Sequence, residues 1–499
     1  MLSLNQFAPL RLGPIQLLLA FVSLGFGYLV CKAFFNAFLH PLRNYPGPKL
    51  WAVSGIPRAR MILSGQAHKK ILELHQKYGD VVRVSPNELS YVSSEAWKDI
   101  MGHRKHGQGE NGKDPVFWQT QPQSVIAANR ENHGRMRKIL SHGFSAQSML
   151  EQQPLIQKYV NLLIQRLHEN CDDGQRPLDM VTWYNWTTFD IIGDLTFGEP
   201  FGCLENSYYH PWVKFVFDRV KGATMITNLS RFPLGKTVVD AFIPKRLLEN
   251  FHAHLNLTKE KVAKRMQMGR QRSDFMDAMM KADDKQKLSH AEIVGNSSIL
   301  IIAGSETTAT TLSGVTFLLS THPVVLKKLT EEVRSSFTSE HEIDLLSVQK
   351  LSYMMAVLNE SIRIYPPVPT AIPRKTQAGG DTICGQYVPE DTLLGIWQWA
   401  MYHSPSNFTL PDSFIPERWL GDPRFTDDSI DALQPFSFGP RNCIGKNLAY
   451  AEMRLILAKV IWNFDIQIDT NSLDWLEQNE AYFLWQKPAL YMHLTPRTV

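Results

Sequence analysis

The stretch FSFGPRNCIG, residues 436–445, sets Cys443 among two glycines, a proline and an arginine, just ahead of a long helical pattern beginning at Lys446. An unpaired cysteine in a loop is most often an inert, buried thiol. This one has more around it. A helix start presents unpaired N–H groups and the positive end of the helix dipole, which favour a thiolate. Arg441 adds a cation two residues earlier, and Gly439 and Gly445 let the backbone come close to a flat partner. The loop therefore suits a thiolate ligand to a large planar cofactor, and the inert thiol stays open until the rest of the chain is read.

The bulk numbers suit a large globular body. At 499 residues the length alone suggests about three domains, but no linker divides the chain. With 44% apolar and 20% charged residues it can bury a sizeable core. A net charge of +4, with no dense basic run, argues against a nucleic-acid partner. Cys31, Cys171, Cys203, Cys384 and Cys443 are odd in number, far apart and without zinc spacing. That pattern points to a reducing compartment rather than a disulfide framework. Sequons such as Asn185-Trp-Thr and Asn256-Leu-Thr are short enough to arise by chance.

Between Arg11 and Lys32 lies LGPIQLLLAFVSLGFGYLVC, 20 residues without a charge. A helix of that length reaches roughly 30 Å, the thickness of the hydrocarbon core. The run is longer than a signal-peptide core and lacks a small-residue cleavage motif. Lys32, His40, Arg43 and Lys49 follow it and only Arg11 precedes it, which places the rest of the chain in the cytosol. Residues 1–40 are thus expected to form an anchor with its hinge, and 41–499 a single body. Pro41 and Tyr45-Pro46-Gly47-Pro48 are expected to form a stiff break between them.

In the body, DVVRVSP and ELSYVS within residues 50–100 read as a small sheet. Helical periodicity then dominates at 146–169, 183–195, 289–320, 323–337, 347–364 and 446–462. Ser289 and Glu292 form a capping box at the third of these. Short strands return over 365–400 and after 465. The fold class is mainly α with a minor β part.

The pattern Phe436-x-x-Gly439-x-Arg441-x-Cys443-x-Gly445 resembles the haem-binding loop of the cytochrome P450 monooxygenases at every fixed position. Three further stretches follow the family's order. Glu360-Ser-Ile-Arg363, with Arg418 in Phe414-Ile-Pro-Glu417-Arg418-Trp419, resembles the family's buried structural network, and alone Glu360 and Arg363 would be an ordinary helix-surface pair. Ala303-Gly304-Ser305-Glu306-Thr307-Thr308 falls in mid-helix, where glycine, threonine and an acid are poor choices on propensity. There Ala303 and Gly304 are expected to leave room for dioxygen. The Thr307 hydroxyl is expected to take the Ala303 carbonyl and open a polar notch, with Glu306 feeding protons from solvent. The family more often has Asp at that position. His133-Gly-Arg-Met-Arg137 sets two groups one helical turn apart, as in the family's propionate contacts, and Arg374 and Arg441 resemble further propionate partners.

The resemblance implies the P450 fold, one large haem-containing domain behind a transmembrane helix. It implies haem b with Cys443 as the axial iron ligand, and insertion of one oxygen atom from O2 into a lipophilic small molecule. Thr307 and Glu306 would be the catalytic proton donors. No Rossmann fingerprint is present, so electrons would come from an NADPH-dependent reductase docking near Arg135, Lys138 and Lys446. The endoplasmic reticulum membrane, with a single pass and a cytosolic catalytic domain, is the implied location. PERWL and EAYFLWQKPALYMHL are similar to fungal enzymes that oxidise terpenoid or polyketide intermediates of secondary metabolism. Ile302, Val368, Thr370 and the aromatic residues around Phe117 and Tyr482 are candidate pocket residues. Two rival functions are a haem–thiolate isomerase or dehydratase acting on a peroxide, and a non-catalytic haem-binding protein.

Overall fold

The uncharged N-terminal run winds into α1 (Pro14–Phe34) and continues as a wider turn to Leu39. Its most apolar stretch is not buried against the body, and Pro14–Leu39 is long and apolar enough to cross a membrane. The computed structural model describes residues 13–105, 108–118, 123–210, 221–242, 245–269, 272–281 and 287–497. The body takes hold before residue 41. Asn36 is buried, donating through Nδ2 to the Val53 carbonyl at 2.9 Å and accepting from Arg83 Nη1 at 3.1 Å. The Tyr45–Pro48 segment is also tied down: Arg83 N–H donates to the Pro46 carbonyl at 2.7 Å, and Tyr45 Oη donates to the Tyr387 carbonyl at 2.9 Å. The segment expected to be a stiff break is held against the body by these bonds.

Seven further helices concern the site: α2 (Arg130–Ser141), α3 (Ala146–Asn170), α4 (Met180–Phe197), α5 (His290–Thr321), α6 (Pro323–Ser336), α7 (Ser352–Ile364) and α8 (Lys446–Asn463). Helix α5 is the central one and starts on the capping box read from sequence. Ser289 Oγ accepts from Glu292 N–H at 3.2 Å, and Glu292 Oε2 accepts from Ser289 N–H at 2.8 Å. It ends where Pro323 opens α6, bent from it by 112°. A Cβ on Gly304 would stand 2.6 Å from Ile192 Cδ1 of α4, and one on Gly314 2.4 Å from Tyr365 Cδ1. These glycines let α5 pack closely against its neighbours. Gly304, expected to leave room for dioxygen, instead makes room for α4.

The main sheet comprises β1 (Val81–Ser85), β2 (Glu88–Tyr91), β3 (Gly112–Lys113), β4 (Arg374–Lys375) and β5 (Leu393–Ile396), in the order β1-β2-β5-β4-β3. A small hairpin, β6 (Glu480–Ala481) with β7 (Trp485–Gln486), follows near the C-terminus. Two expectations need correction. Much of 50–78 is helical, because Ala67, Ile71, Leu74 and His75 form one buried helix face over Ala67–Tyr78. In the 347–364 pattern, Ser347–Lys350 is a separate 3-10 turn, and α7 starts only after Leu351.

Candidate active site

The Cys443 loop is fixed by its own backbone. Cys443 N–H donates to the Phe436 carbonyl at 2.7 Å, while the Phe436 ring lies 5.2 Å from that of Tyr450. Gly439 has φ +72, and a Cβ there would stand 2.1 Å from the Met101 carbonyl oxygen. Only glycine fits, and what it admits is the 97–101 turn rather than a flat partner. A Cβ on Gly445 would meet Cys443 Sγ at an ordinary 3.9 Å. The Cys443 side chain stays accessible; the dense protein around it raises the thiol by desolvation, while the Gly445 N–H bonded to sulfur, and the charges of Arg137 and Lys446, pull it back towards thiolate.

The four proposed propionate contacts converge around this loop, with two partners that no sequence pattern marked. Arg441 Nη1 donates to the Ala128 carbonyl at 2.9 Å, and its Nη2 to Glu110 Oε1 at 2.5 Å. Strand register sets Lys113 directly opposite Arg374, an arrangement of like charges that destabilises a bare sheet. Arg374 is 4% exposed and donates through Nε to Met101 Sδ at 3.2 Å. Lys113 Nζ lies 4.6 Å from the Trp118 ring centroid. Burial, then Arg374 and Arg441, push the Lys113 ammonium well below its ordinary value, with Glu110 opposing. Burial, then Arg441, lowers Arg374 to about 10. His133 of α2 is lowered to about 4 by burial, then by Arg441, Lys113 and Arg137. Burial alone would raise Glu110, but the hydrogen bond and charge of Arg441, with Arg374 and Arg130, bring it below the carboxylate range. Arg137, one turn on from His133, donates to the carbonyl and to Oδ1 of Asn442 beside the cysteine.

Helix α5 is buried almost throughout, yet Ile299, Ile302, Ala303 and Thr307 keep exposure along one face, at spacings of three and four residues. The Thr307 hydroxyl donates to the Ala303 carbonyl at 2.7 Å, as the sequence implied. Glu306 points elsewhere. It is 2% exposed and paired with Lys487, whose Nζ also donates to Thr310 Oγ1 at 2.8 Å. Burial raises its carboxyl, against the pull of Lys487 and Thr310. A direct opening from Glu306 to solvent is not what the fold provides. A second buried acid, Glu452 of α8, touches Thr308, and burial lifts it to about 8.

A cavity of about 160 Å³ adjoins this face, lined in part by Ile299, Ile302, Phe117, Thr370, Tyr482 and Phe483. Of the candidate pocket residues, Val368 is not among its lining residues.

Glu360, Arg363 and Arg418 meet with no side-chain exposure. Arg363 Nε and Nη2 donate to the two Glu360 oxygens at 2.9 and 2.8 Å. Arg418 Nε lies 3.4 Å from Glu360 and its Nη1 pairs with Asp428. Trp419 Nε1 donates to Glu360 Oε2 at 2.9 Å. Asp428 is the member that sequence reasoning missed. Of the expected docking cations, Lys138 and Lys446 are exposed, whereas Arg135 is paired with Glu292.

Residues 45–494 match the family model described as Cytochrome P450. The chain is 48% identical over 476 residues to the trichothecene C-15 hydroxylase of Fusarium sporotrichioides, an alignment covering 95% of this chain and 97% of that one. It is 45% identical over 515 residues to the averantin hydroxylase of Dothistroma septosporum, covering 99% and 96%. With a cytochrome P450 monooxygenase of Aspergillus oryzae it shares 43% over 471 residues, covering 93% and 94%.

Proposed function

The chain belongs to the cytochrome P450 family, and we propose that it is a membrane-anchored haem–thiolate monooxygenase that hydroxylates a lipophilic intermediate of fungal secondary metabolism. One observation carries the cofactor assignment. Beside the Cys443 thiol, the cations Lys113, Arg374 and Arg441 face one carboxylate among the described residues, Glu110. A flat cofactor with two carboxylates offsets that excess and takes the thiolate from the same loop. When bound, haem b supplies activation of dioxygen, and thiolate donation from Cys443 favours cleavage of the O–O bond.

The protein's own part is positioning and proton handling. Arg441, Arg374, Lys113 and His133 hold the propionates, with Arg137 bracing the loop through Asn442. The open face of α5 borders the substrate. At Thr307 the hydroxyl donates to the Ala303 carbonyl, leaving its oxygen to accept a hydrogen bond from the cavity side, and it would relay a proton there by exchanging that bond. Glu306 exchanges protons through Lys487 and Thr310, within the core. The names of two relatives, a trichothecene C-15 hydroxylase and an averantin hydroxylase, support hydroxylation of a secondary metabolite, here taken as a terpenoid or polyketide skeleton. The chain would take electrons from an NADPH-dependent reductase at the face carrying Lys138 and Lys446, in the endoplasmic reticulum membrane with the body in the cytosol.

Cys443→Ser is expected to abolish the red-shifted carbon monoxide band of the reduced protein, and a mutant that keeps the band refutes the ligand assignment. For Thr307→Ala the test is the ratio of oxidised product to NADPH consumed. It should fall roughly tenfold to a hundredfold while NADPH is still used and hydrogen peroxide accumulates. Unchanged coupling would move proton delivery to another group.

A further inference from the structure

The cavity beside α5 has walls of two kinds. Ile299, Ile302, Ile126, Phe117 and Phe483 make an apolar one, whereas Arg58, Glu88, Asn228 and Arg231 make a polar one, continued by Thr224 and Thr227. The polar wall is built from three separate parts of the chain and is held together internally. Arg58 is 8% exposed and donates through Nη2 to Glu88 Oε1 at 3.0 Å and through Nη1 to Asn228 Oδ1 at 3.1 Å. Arg231 pairs through Nη2 with Asp114, whose Oδ1 also accepts from Val116 N–H at 3.1 Å.

Each guanidinium therefore has its own carboxylate, and the wall is neutral as a whole. Donor capacity remains nonetheless. Arg231 keeps 18% of its side chain open, its Nε is buried without a partner, and among the described residues nothing bonds its Nη1. A hydrocarbon pressed against this wall would strip water from the open part of the Arg231 guanidinium and give nothing back. A carboxylate would bring a third negative charge against two already balanced pairs, and would have to displace Glu88 or Asp114 or stay uncompensated. A neutral oxygen accepts from the donors and adds no charge.

Resting on the monooxygenase assignment above, we propose that this wall reads a neutral oxygen, as carbonyl, ether or hydroxyl, already present on an otherwise apolar substrate. The reaction that supplies the substrate is then one that installs or retains oxygen, either an earlier oxygenation or a condensation that leaves a carbonyl. The enzyme works on a skeleton already oxygenated at one end, never on the bare hydrocarbon.

The test uses full-length, haem-loaded protein in detergent and three probes on one C15 chain: farnesene, methyl farnesoate and farnesoic acid, measured by equilibrium dialysis at neutral pH. The carbon monoxide band of the same preparation is recorded separately, so that failure of the haem–thiolate assignment is seen on its own. The ester is expected to bind at least tenfold more tightly than farnesene, and more tightly than the acid. Two variants locate the effect. Arg231→Met with Asp114→Asn removes the ion pair without stranding a charge, and Arg231→Lys keeps the charge but loses the planar fork. In the double variant the preference for ester over farnesene should shrink to threefold or less, the ester binding more weakly and farnesene more tightly, whereas Arg231→Lys, which keeps N–H donors, should retain part of it. Equal binding of ester and hydrocarbon by the wild type, tightest binding of the acid, or an undiminished ester preference in the double variant would overturn the proposal.

Discussion

Two clusters of charge lie in the same body and differ in two respects. In the cluster around Glu360, two guanidinium groups face two carboxylates, Glu360 and Asp428, and the carbonyls of Tyr402, Pro411 and Ser413 accept from Arg363. That cluster is closed. Around Arg441, three cations face Glu110, and strand register holds Lys113 against Arg374. That cluster is open: among the described residues no second carboxylate pairs with these cations. The closed cluster has no side-chain exposure at all, whereas Glu110 in the open one keeps 21% of its side chain exposed, so the two differ in burial as well as in charge.

The largest effect should come from opening the closed cluster. Glu360→Ala leaves two buried guanidinium groups with Asp428 alone and should cost about 3–5 kcal/mol in a denaturant titration, a large part of the stability of an ordinary domain. Arg374→Met makes the converse test. It relieves like-charge repulsion, so the haem-free protein should unfold at an unchanged or higher denaturant concentration. Haem should nevertheless bind roughly tenfold to a hundredfold more weakly. If Arg374→Met destabilises the haem-free protein as Glu360→Ala does, the distinction between the clusters fails.

A smaller effect should appear with pH. His133 is held near 4 in the fold, against an ordinary value of 6.5. Between those values the unfolded chain takes up a proton that the folded chain refuses, so stability falls as pH falls from about 6.5 to about 4. In the haem-free protein this slope is at most about 1.4 kcal/mol per pH unit from this residue. His133→Gln should flatten it, and propionate carboxylates facing the imidazole should shrink it in the wild type. An identical slope in wild type and variant would remove His133 from the open cluster.

What could be read in the sequence follows from how local the pattern is. Cys443, Arg441 and Phe436 sit within one loop, and Glu360 and Arg363 on one helical turn, so spacing alone exposes them. Helix α5 was legible from its capping box and apolar repeat. Lys113, Glu110, Asp428 and Lys487 were not, since each reaches its partner through tertiary packing from a short loop or strand without a period. Gly304 and Gly439 stood out correctly as special, but their use was misread. A sequence shows that a side chain is missing without showing which neighbour occupies the space, here Ile192 and the Met101 carbonyl. Glu306 was likewise legible as an acid in mid-helix, whereas its burial against Lys487 depends on a segment 181 residues away.

That last pair links two parts of the enzyme. The tip of the β6–β7 hairpin, Tyr482 and Phe483, lines the cavity, and Lys487 just beyond β7 ties the same segment to Glu306 and Thr310 in α5. The cavity wall is thus moored to the central helix α5. Over generations, such a lineage can widen or narrow its substrate range by exchanging side chains at the hairpin tip. It cannot readily slide the backbone, because that would strand a buried charge. Replacement of Glu306 and of Lys487 is expected to arrive together in descendants, and the diversity of this pocket to be a diversity of side chains on a nearly fixed frame.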